Sequence, residues 1–322
     1  MLRMPSSSSS SCPLPRHVLW KGQPYEMAFR ALPEGRFRRG ARGEYSDEEP
    51  RQWVKMSRPF WMAETPVTQG QYRFMAEQCG ERLQQIEGQE GADPSYFKSK
   101  PDGHPVERVG WHEARLMGVW LSEQASLLPA GVEARLPTEA DWEYACRAGT
   151  DTDYFNGDGA AALSHAGWYG ANADGSTQPV RSPTKCANAF GLWDMHGNVD
   201  EWCLDAWNAG AYAERGVVAV DPIDVGGRDA RRVLRGGSWI LTAGNCRSAF
   251  RTRDHPGLRY WSRGFRLCLS SGPVKNQQAS VGPEDAEARD PAESASGGAG
   301  ASDRVSGLDG LNAPEKPRGE VL

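Results

Sequence analysis

Apolar residues recur at helical spacing in three places along the chain, and each place opens with a start signal. Thr68-Gln69-Gly70-Gln71 has capping-box spacing, and Tyr72, Met75, Ala76 and Cys79 then fall on one side of a helix. Gly110 precedes a second, with Ala114, Met117 and Leu121 along one face. Thr138, following Pro137, opens a third. There Asp141 takes the third helical position, Trp142, Ala145 and Cys146 form the inner face, and Gly149 suits the exit. From Gly149 to Gly264 the helical period fades, which predicts loops and short strands. Trp168, Trp193, Trp202, Trp207, Trp239 and Trp261 all lie in this stretch, and rings of that size serve as core where regular structure is scarce. In GFRLCLS, Phe265, Leu267 and Leu269 alternate with Arg266 and Cys268, the period of a half-buried strand that closes the domain. The class these patterns predict is α+β, loop-rich, with few helices and short strands.

Composition sets the limits of that domain. From Gly272 onward the chain is Ser, Gly, Ala, Pro, Asp and Glu with few apolar residues, so 272–322 reads as a disordered tail. The first 24 residues, with their serine run, read the same way, leaving a folded unit over 25–271. The formal charge of −5 comes from interspersed acids and bases, which argues against nucleic acid as a partner. Nowhere do about 18 apolar residues run together, and the serine run stands where a secretory signal would be apolar. A cytoplasmic monomer away from the membrane is the expectation. The seven cysteines form no CxxC and are odd in number, so reduced thiols are expected.

A longer order is carried by FWMAETPVTQGQYR, HPVERVGWHEA, RLPTEADWEYACRAGT, NAFGLWDMHGNVDEW, RVLRGGSW, CRSAFR and GFRL. In that order these stretches resemble the formylglycine-generating-enzyme or sulfatase-modifying-factor family over roughly residues 35 to 270. The resemblance implies a variant of the C-type-lectin-like fold with a cleft near the GGSW loop.

Fold alone does not settle chemistry. The oxygen-dependent members hold copper(I) between two cysteines spaced GGS-x-x-C-x-x-x-x-C, and a soft ion suits a pair of thiolates. Counting from Ser238 puts Leu241 at the first position and Cys246 at the second. Anchoring instead on the RSAFR that follows matches Cys246 to neither. On both counts the pair is missing, so copper is not expected. Cys246 then reads as a buried thiol beside a strand, with catalysis the alternative. Ser238 is either a turn hydroxyl or a site residue, and no base for it stands out. The ergothioneine-forming relatives add a helical domain and iron-binding histidines that this chain lacks. His112-Glu113 has no second histidine one turn on, as a zinc-protease helix would.

Calcium fits the resemblance better. In DMHGNVDEW, Asp194 and Glu201 offer carboxylates and Gly197 and Val199 carbonyls, an all-oxygen set. A second calcium loop of the family is eroded at Ala166. Asp200 stands where relatives carry an aromatic, which would make the cleft floor anionic. Trp239, Arg247, Arg251 and Arg266 are expected to build the scaffold, with Phe250, His255, Leu258, Tyr260 and Trp261 facing outward as a binding surface. That layout resembles the variable proteins of diversity-generating retroelements. The expected function is therefore a protein that binds or displays against a protein or small-molecule ligand, without copper oxidase activity. The alternative is an oxidoreductase or other enzyme acting through a rearranged cleft.

Overall fold

The computed structural model describes residues 16–271 except 125, 216 and 217. In chain order the elements are β1 (Arg16–Leu19), β2 (Met27–Leu32), β3 (Gly35–Arg39), β4 (Gln52–Met56), β5 (Phe60–Ala63), α1 (Gln69–Cys79), α2 (Glu81–Gln84) and α3 (Trp111–Glu123). Then follow β6 (Val132–Arg135), α4 (Glu139–Arg147), α5 (Gly159–Ala166), β7 (Asp200–Ala206), β8 (Val218–Val220), β9 (Arg232–Arg235), β10 (Arg251–Asp254), β11 (Arg263–Gly264) and β12 (Cys268–Ser271). No helix among the described residues is long and apolar enough to cross a membrane.

The three helices read from periodicity start where their signals stand. The Thr68 hydroxyl accepts the Gln71 amide at 3.3 Å, and the Gln71 side chain accepts the Thr68 amide at 2.9 Å. Thr138 and Asp141 repeat the exchange at 3.0 and 2.9 Å. At Gly110 the Glu113 carboxylate alone accepts the cap amide, at 2.7 Å. The exit of α4 uses the expected Gly149, at φ 93°, directly after a cap residue, Ala148, that itself takes the left-handed conformation (φ 46°).

The strands form three sheets, in the orders β1-β2-β5-β12-β6, β10-β9-β7-β11 and β3-β4-β8. The first is antiparallel throughout, whereas β11 runs parallel to β7 and β8 parallel to β4. Phe29, Leu267 and Leu269 of the first sheet region pack with Tyr72 and Met75 of α1 and Met117 and Leu121 of α3. A second cluster gathers Trp142 and Ala145 of α4 with Val54, Leu192, Val233 and Cys268.

Two expectations change here. The N-terminal boundary at 24 is too late: Arg16–Leu19 pairs with Met27–Leu32, and Leu19 is buried in the first cluster. The remainder of the two segments read as disordered, 1–15 and 272–322, lies outside the described residues. The GFRLCLS strand is not half-buried. It lies inside the five-stranded sheet, so Leu267 and Leu269 enter one core cluster while Cys268 enters the other, and Arg266 is fully buried as well. A strand with both faces covered need not alternate in polarity.

Candidate ligand-binding face

The double glycine of RGGSW answers the question of Cys246. Gly237 adopts φ +70°, and a Cβ there would stand 2.6 Å from both the Cys246 Sγ and the Asn245 carbonyl oxygen. Backbone therefore lies directly on the thiol, which is fully buried in a cluster with Tyr154, Leu163 and Tyr169. Burial pushes its pKa well up, with the Asp200 carboxylate adding to the rise, so it remains a protonated thiol. Leu241, half-buried on the loop, offers a metal nothing.

Ser238, Asp200 and Arg263 come together beneath this loop. Asp200 begins β7 and Arg263 begins β11, directly opposite each other in register. The Asp200 carboxyl is 2% exposed rather than forming an open anionic floor, which corrects the expectation for that position. Burial pushes its pKa up to about 7, opposed by Arg263, the Ser238 hydroxyl and the Gly237 amide. Asp200 Oδ1, Ser238 Oγ, Ser262 Oγ and Arg263 Nε and Nη1 are buried without a well-aligned hydrogen-bond partner. Arg263 is anchored at its other end by an ion pair to Asp254, and its guanidinium lies 4.3 Å from the Tyr260 ring.

Aromatic rings cover this polar layer. The Trp239 indole donates to the Trp261 carbonyl at 3.1 Å and meets Phe97 edge-on at 5.4 Å, while Trp261 packs between Tyr96 and Tyr260 at 6.3 and 5.6 Å. Tyr96 and Phe97 had no periodic signal. They are held by Glu107 of the HPVERVGW stretch, whose buried carboxylate accepts both their amides at 2.9 and 3.1 Å. An aromatic pair inside the polar run DPSYFKSK was the signal available for them.

The residues expected to face a ligand divide into three. His255 and Leu258 are exposed, Tyr260 and Trp261 are half-buried, and Phe250 is buried at 5%. Phe250 is thereby corrected to the scaffold: it packs on Tyr45 at 6.0 Å, and its carbonyl accepts the Arg235 guanidinium. The loop carrying the exposed pair rests on the start of α3, where the Trp111 amide donates to the Pro256 carbonyl at 2.9 Å. Arg259 braces it by donating to Glu113 at 2.8 Å and to the Gly257 and Glu87 carbonyls at 2.6 and 2.9 Å.

Beneath these residues the arginines bind buried glutamates through two nitrogens each. Arg247 meets Glu48 with both contacts at 2.9 Å, Arg251 meets Glu139 at 2.5 and 2.9 Å, and Arg266 meets Glu201 at 2.6 and 2.7 Å. The last pair bears on the calcium reading. Glu201 Oε2 also accepts the Trp142 indole at 2.8 Å, so the carboxylate is fully engaged. The same guanidinium donates to the Trp193 and Asp194 carbonyls at 3.0 and 3.3 Å, placing a fixed positive charge beside the supposed ligands. Asp194 itself accepts the Arg181 amide at 3.0 Å and the Asn198 side chain at 3.3 Å, and burial raises its pKa to about 6. Gly197 is required for another reason: at φ +78° its missing Cβ would fall 1.9 Å from the Trp168 carbonyl oxygen. Both carboxylates of that set, Asp194 and Glu201, are thus engaged by donors of the protein itself.

Residues 22–271 match the sulfatase-modifying factor enzyme 1-like domain. The chain belongs to that family. Its fold is the C-type-lectin-like fold of the formylglycine-generating-enzyme type. Among solved structures of this fold, Treponema denticola variable protein 1 is similar, with a TM-score of 0.65 and 27% identity over 79% of this chain and 98% of that one. The formylglycine-generating enzyme of Streptomyces coelicolor is 36% identical over 191 residues, 52% of this chain and 55% of its own. The serine/threonine-protein kinase pkn1 of Chlamydia pneumoniae is 30% identical over 263 residues, 76% of this chain. The chain spans 38% of that kinase's length. Chains similar to this one thus include a variable protein, a formylglycine-generating enzyme and a longer kinase chain.

Proposed function

We propose that this chain is a ligand-binding or display protein on the family scaffold, with no copper oxidase activity and with residues 255–261 as its binding segment. One observation carries the reading: the single thiol of the GGSW loop, Cys246, is sealed under Gly237 and protonated, and Leu241 stands at the other copper position. One thiolate would leave copper(I) half coordinated, and a buried thiol offers less. The exposed His255 and Leu258 on a braced loop, next to the half-buried Tyr260 and Trp261, support recognition, because rigid rings and well-held loops bind at low entropic cost. The likeness to a variable protein supports the same reading.

The test is anaerobic copper(I) titration, followed by mass spectrometry of a cysteine-containing sulfatase peptide incubated with the protein and oxygen. The expected result is no stoichiometric copper site and an unchanged peptide cysteine. A thiol-dependent site with loss of that cysteine would overturn the reading.

A second reading rests on Asp200 beside Ser238, a base that sequence did not nominate, in a rearranged enzymatic cleft. Both groups are closed off from solvent, so a serine-directed fluorophosphonate should leave Ser238 unlabelled. Labelling that disappears in Ser238→Ala and in Asp200→Asn would favour the enzyme.

A further inference from the structure

Glu48, Glu113 and Glu201 are buried and each pairs with a single arginine. Glu64, just past β5, pairs with three. Arg16 of β1 reaches it with Nε at 2.6 Å and Nη2 at 3.2 Å, Arg30 of β2 with Nε at 2.8 Å, and Arg181 with Nη1 at 3.1 Å. The carboxylate is 2% exposed, whereas the Arg16 and Arg181 side chains keep 35% and 45% of their surface in solvent. Nη1 of Arg16, and Nε and Nη2 of Arg181, are left without a partner among the described residues.

The positive charge here exceeds the negative. Arg16 and Arg30 stand directly opposite each other in the β1–β2 pair, where like charges repel. Even with Arg30 set aside, Arg16 and Arg181 share one carboxylate, and neither makes a second ion pair among the described residues. Asp194, which accepts the Arg181 amide at 3.0 Å, is buried and has Arg266 and Lys185 acting on it.

We propose that Arg16 and Arg181, held side by side on Glu64 together with Arg30, form a binding site for a phosphate monoester dianion. Guanidiniums present planar forks of N–H donors, and a phosphate monoester carries three acceptor oxygens and close to two negative charges, enough to engage two forks at once. A carboxylate brings one charge and two oxygens. The site uses none of residues 255–261 and stands independently of the binding reading above.

Such an ester has two sources, a free phosphorylated metabolite or the chain itself. Serines 6–11 precede Arg16 by five to ten positions, in a segment, 1–15, without a carboxylate. Five residues of extended chain span up to about 17 Å, so a phosphoserine there can reach the cluster. A kinase would form it by moving the γ-phosphoryl group of a nucleoside triphosphate onto the serine oxygen, releasing the diphosphate and the hydroxyl proton.

The test is calorimetric titration of the full chain at low salt with inorganic phosphate, with acetate, and with the peptide of residues 4–14 either phosphorylated at Ser10 or unmodified. The expected result is saturable phosphate binding, at least tenfold tighter than acetate, weakened at least tenfold in Arg16→Gln/Arg181→Gln and unchanged in Arg58→Gln, an exposed arginine bound to the Ser271 carbonyl. Should the double variant melt early, Arg181→Gln alone, outside the strands, reads the same loss at about fivefold or more. A phosphopeptide that binds tighter than inorganic phosphate, with the unmodified peptide silent, supports the site with the chain's own serine as its source. A phosphopeptide no tighter than phosphate supports the site with a free ester as its ligand. No saturable phosphate binding, equal binding by the arginine variants, or acetate binding as well as phosphate overturns the site and leaves the 255–261 reading untouched.

Discussion

At the residue scale, Gly237 and Asp200 show how tightly the GGSW loop is packed. Alanine at 237 would need a left-handed backbone and would press its Cβ on Sγ of Cys246 and on backbone, with neither free to move aside. Gly237→Ala should lower stability by about 1–3 kcal/mol in urea denaturation, while Cys246→Ala, which only removes a buried thiol, should cost less. Asp200 makes a pH prediction. Its native pKa near 7 lies above the ordinary carboxylate value, so between about pH 4 and 7 the native state holds a proton that the unfolded state has lost. Its contribution is therefore fully present below pH 4 and is lost as pH rises through 7. Asp200→Asn should shrink the fall in stability between pH 5 and 8 by about 1–3 kcal/mol. An identical fall in both proteins, read from denaturation midpoints, would place the pH dependence on other buried carboxylates such as Asp205.

At the element scale, the helix starts were legible because a capping box is a local exchange between residues three apart, written in the sequence itself. The burial of the loop 236–266 was not legible, because what covers it comes from far along the chain. Phe250 looked like its exposed neighbours until Tyr45 covered it, and Asp200 looked like an open acid until Arg263 and the GGSW loop closed over it. Tyr96 and Phe97 joined the face through Glu107, an acid whose role no spacing could reveal. The same distinction ranks substitutions within one segment. His255→Ala and Leu258→Ala should change stability by less than about 0.5 kcal/mol. Tyr260→Ala and Trp261→Ala, half-buried, should fall between these and Arg251→Ala, which takes the two-nitrogen partner from buried Glu139, leaves it Arg235 at 3.8 Å, and should cost about 3–5 kcal/mol. Thermal melts of the five variants give the order directly, and a Trp261→Ala as damaging as Arg251→Ala would make that ring core.

At the scale of the whole molecule, long loops are joined across the chain by buried ion pairs where regular structure is thin. Arg247 reaches Glu48 across 199 positions, Arg251 reaches Glu139 across 112, and Arg266 reaches Glu201 across 65. Each pair removes two charges from water, so its net stabilisation is small when intact, but removing one partner leaves the other unmatched and is costly. In the DMHGNVDEW stretch, which reads as a calcium loop by its oxygens, a guanidinium already meets Glu201. Arg266 supplies the positive charge and the donors that a cation would have supplied, and the Trp142 indole completes the shell of Glu201. Two outcomes separate the alternatives in calorimetric melts of wild type and Glu201→Gln, each with calcium and with chelator. An arginine clamp predicts that the substitution costs about 3–5 kcal/mol in both solutions and that chelator leaves wild type unchanged. A metal clamp predicts a wild-type melt that falls on chelation, because an ion bound only to the native state stabilises it by mass action, and a variant that no longer responds.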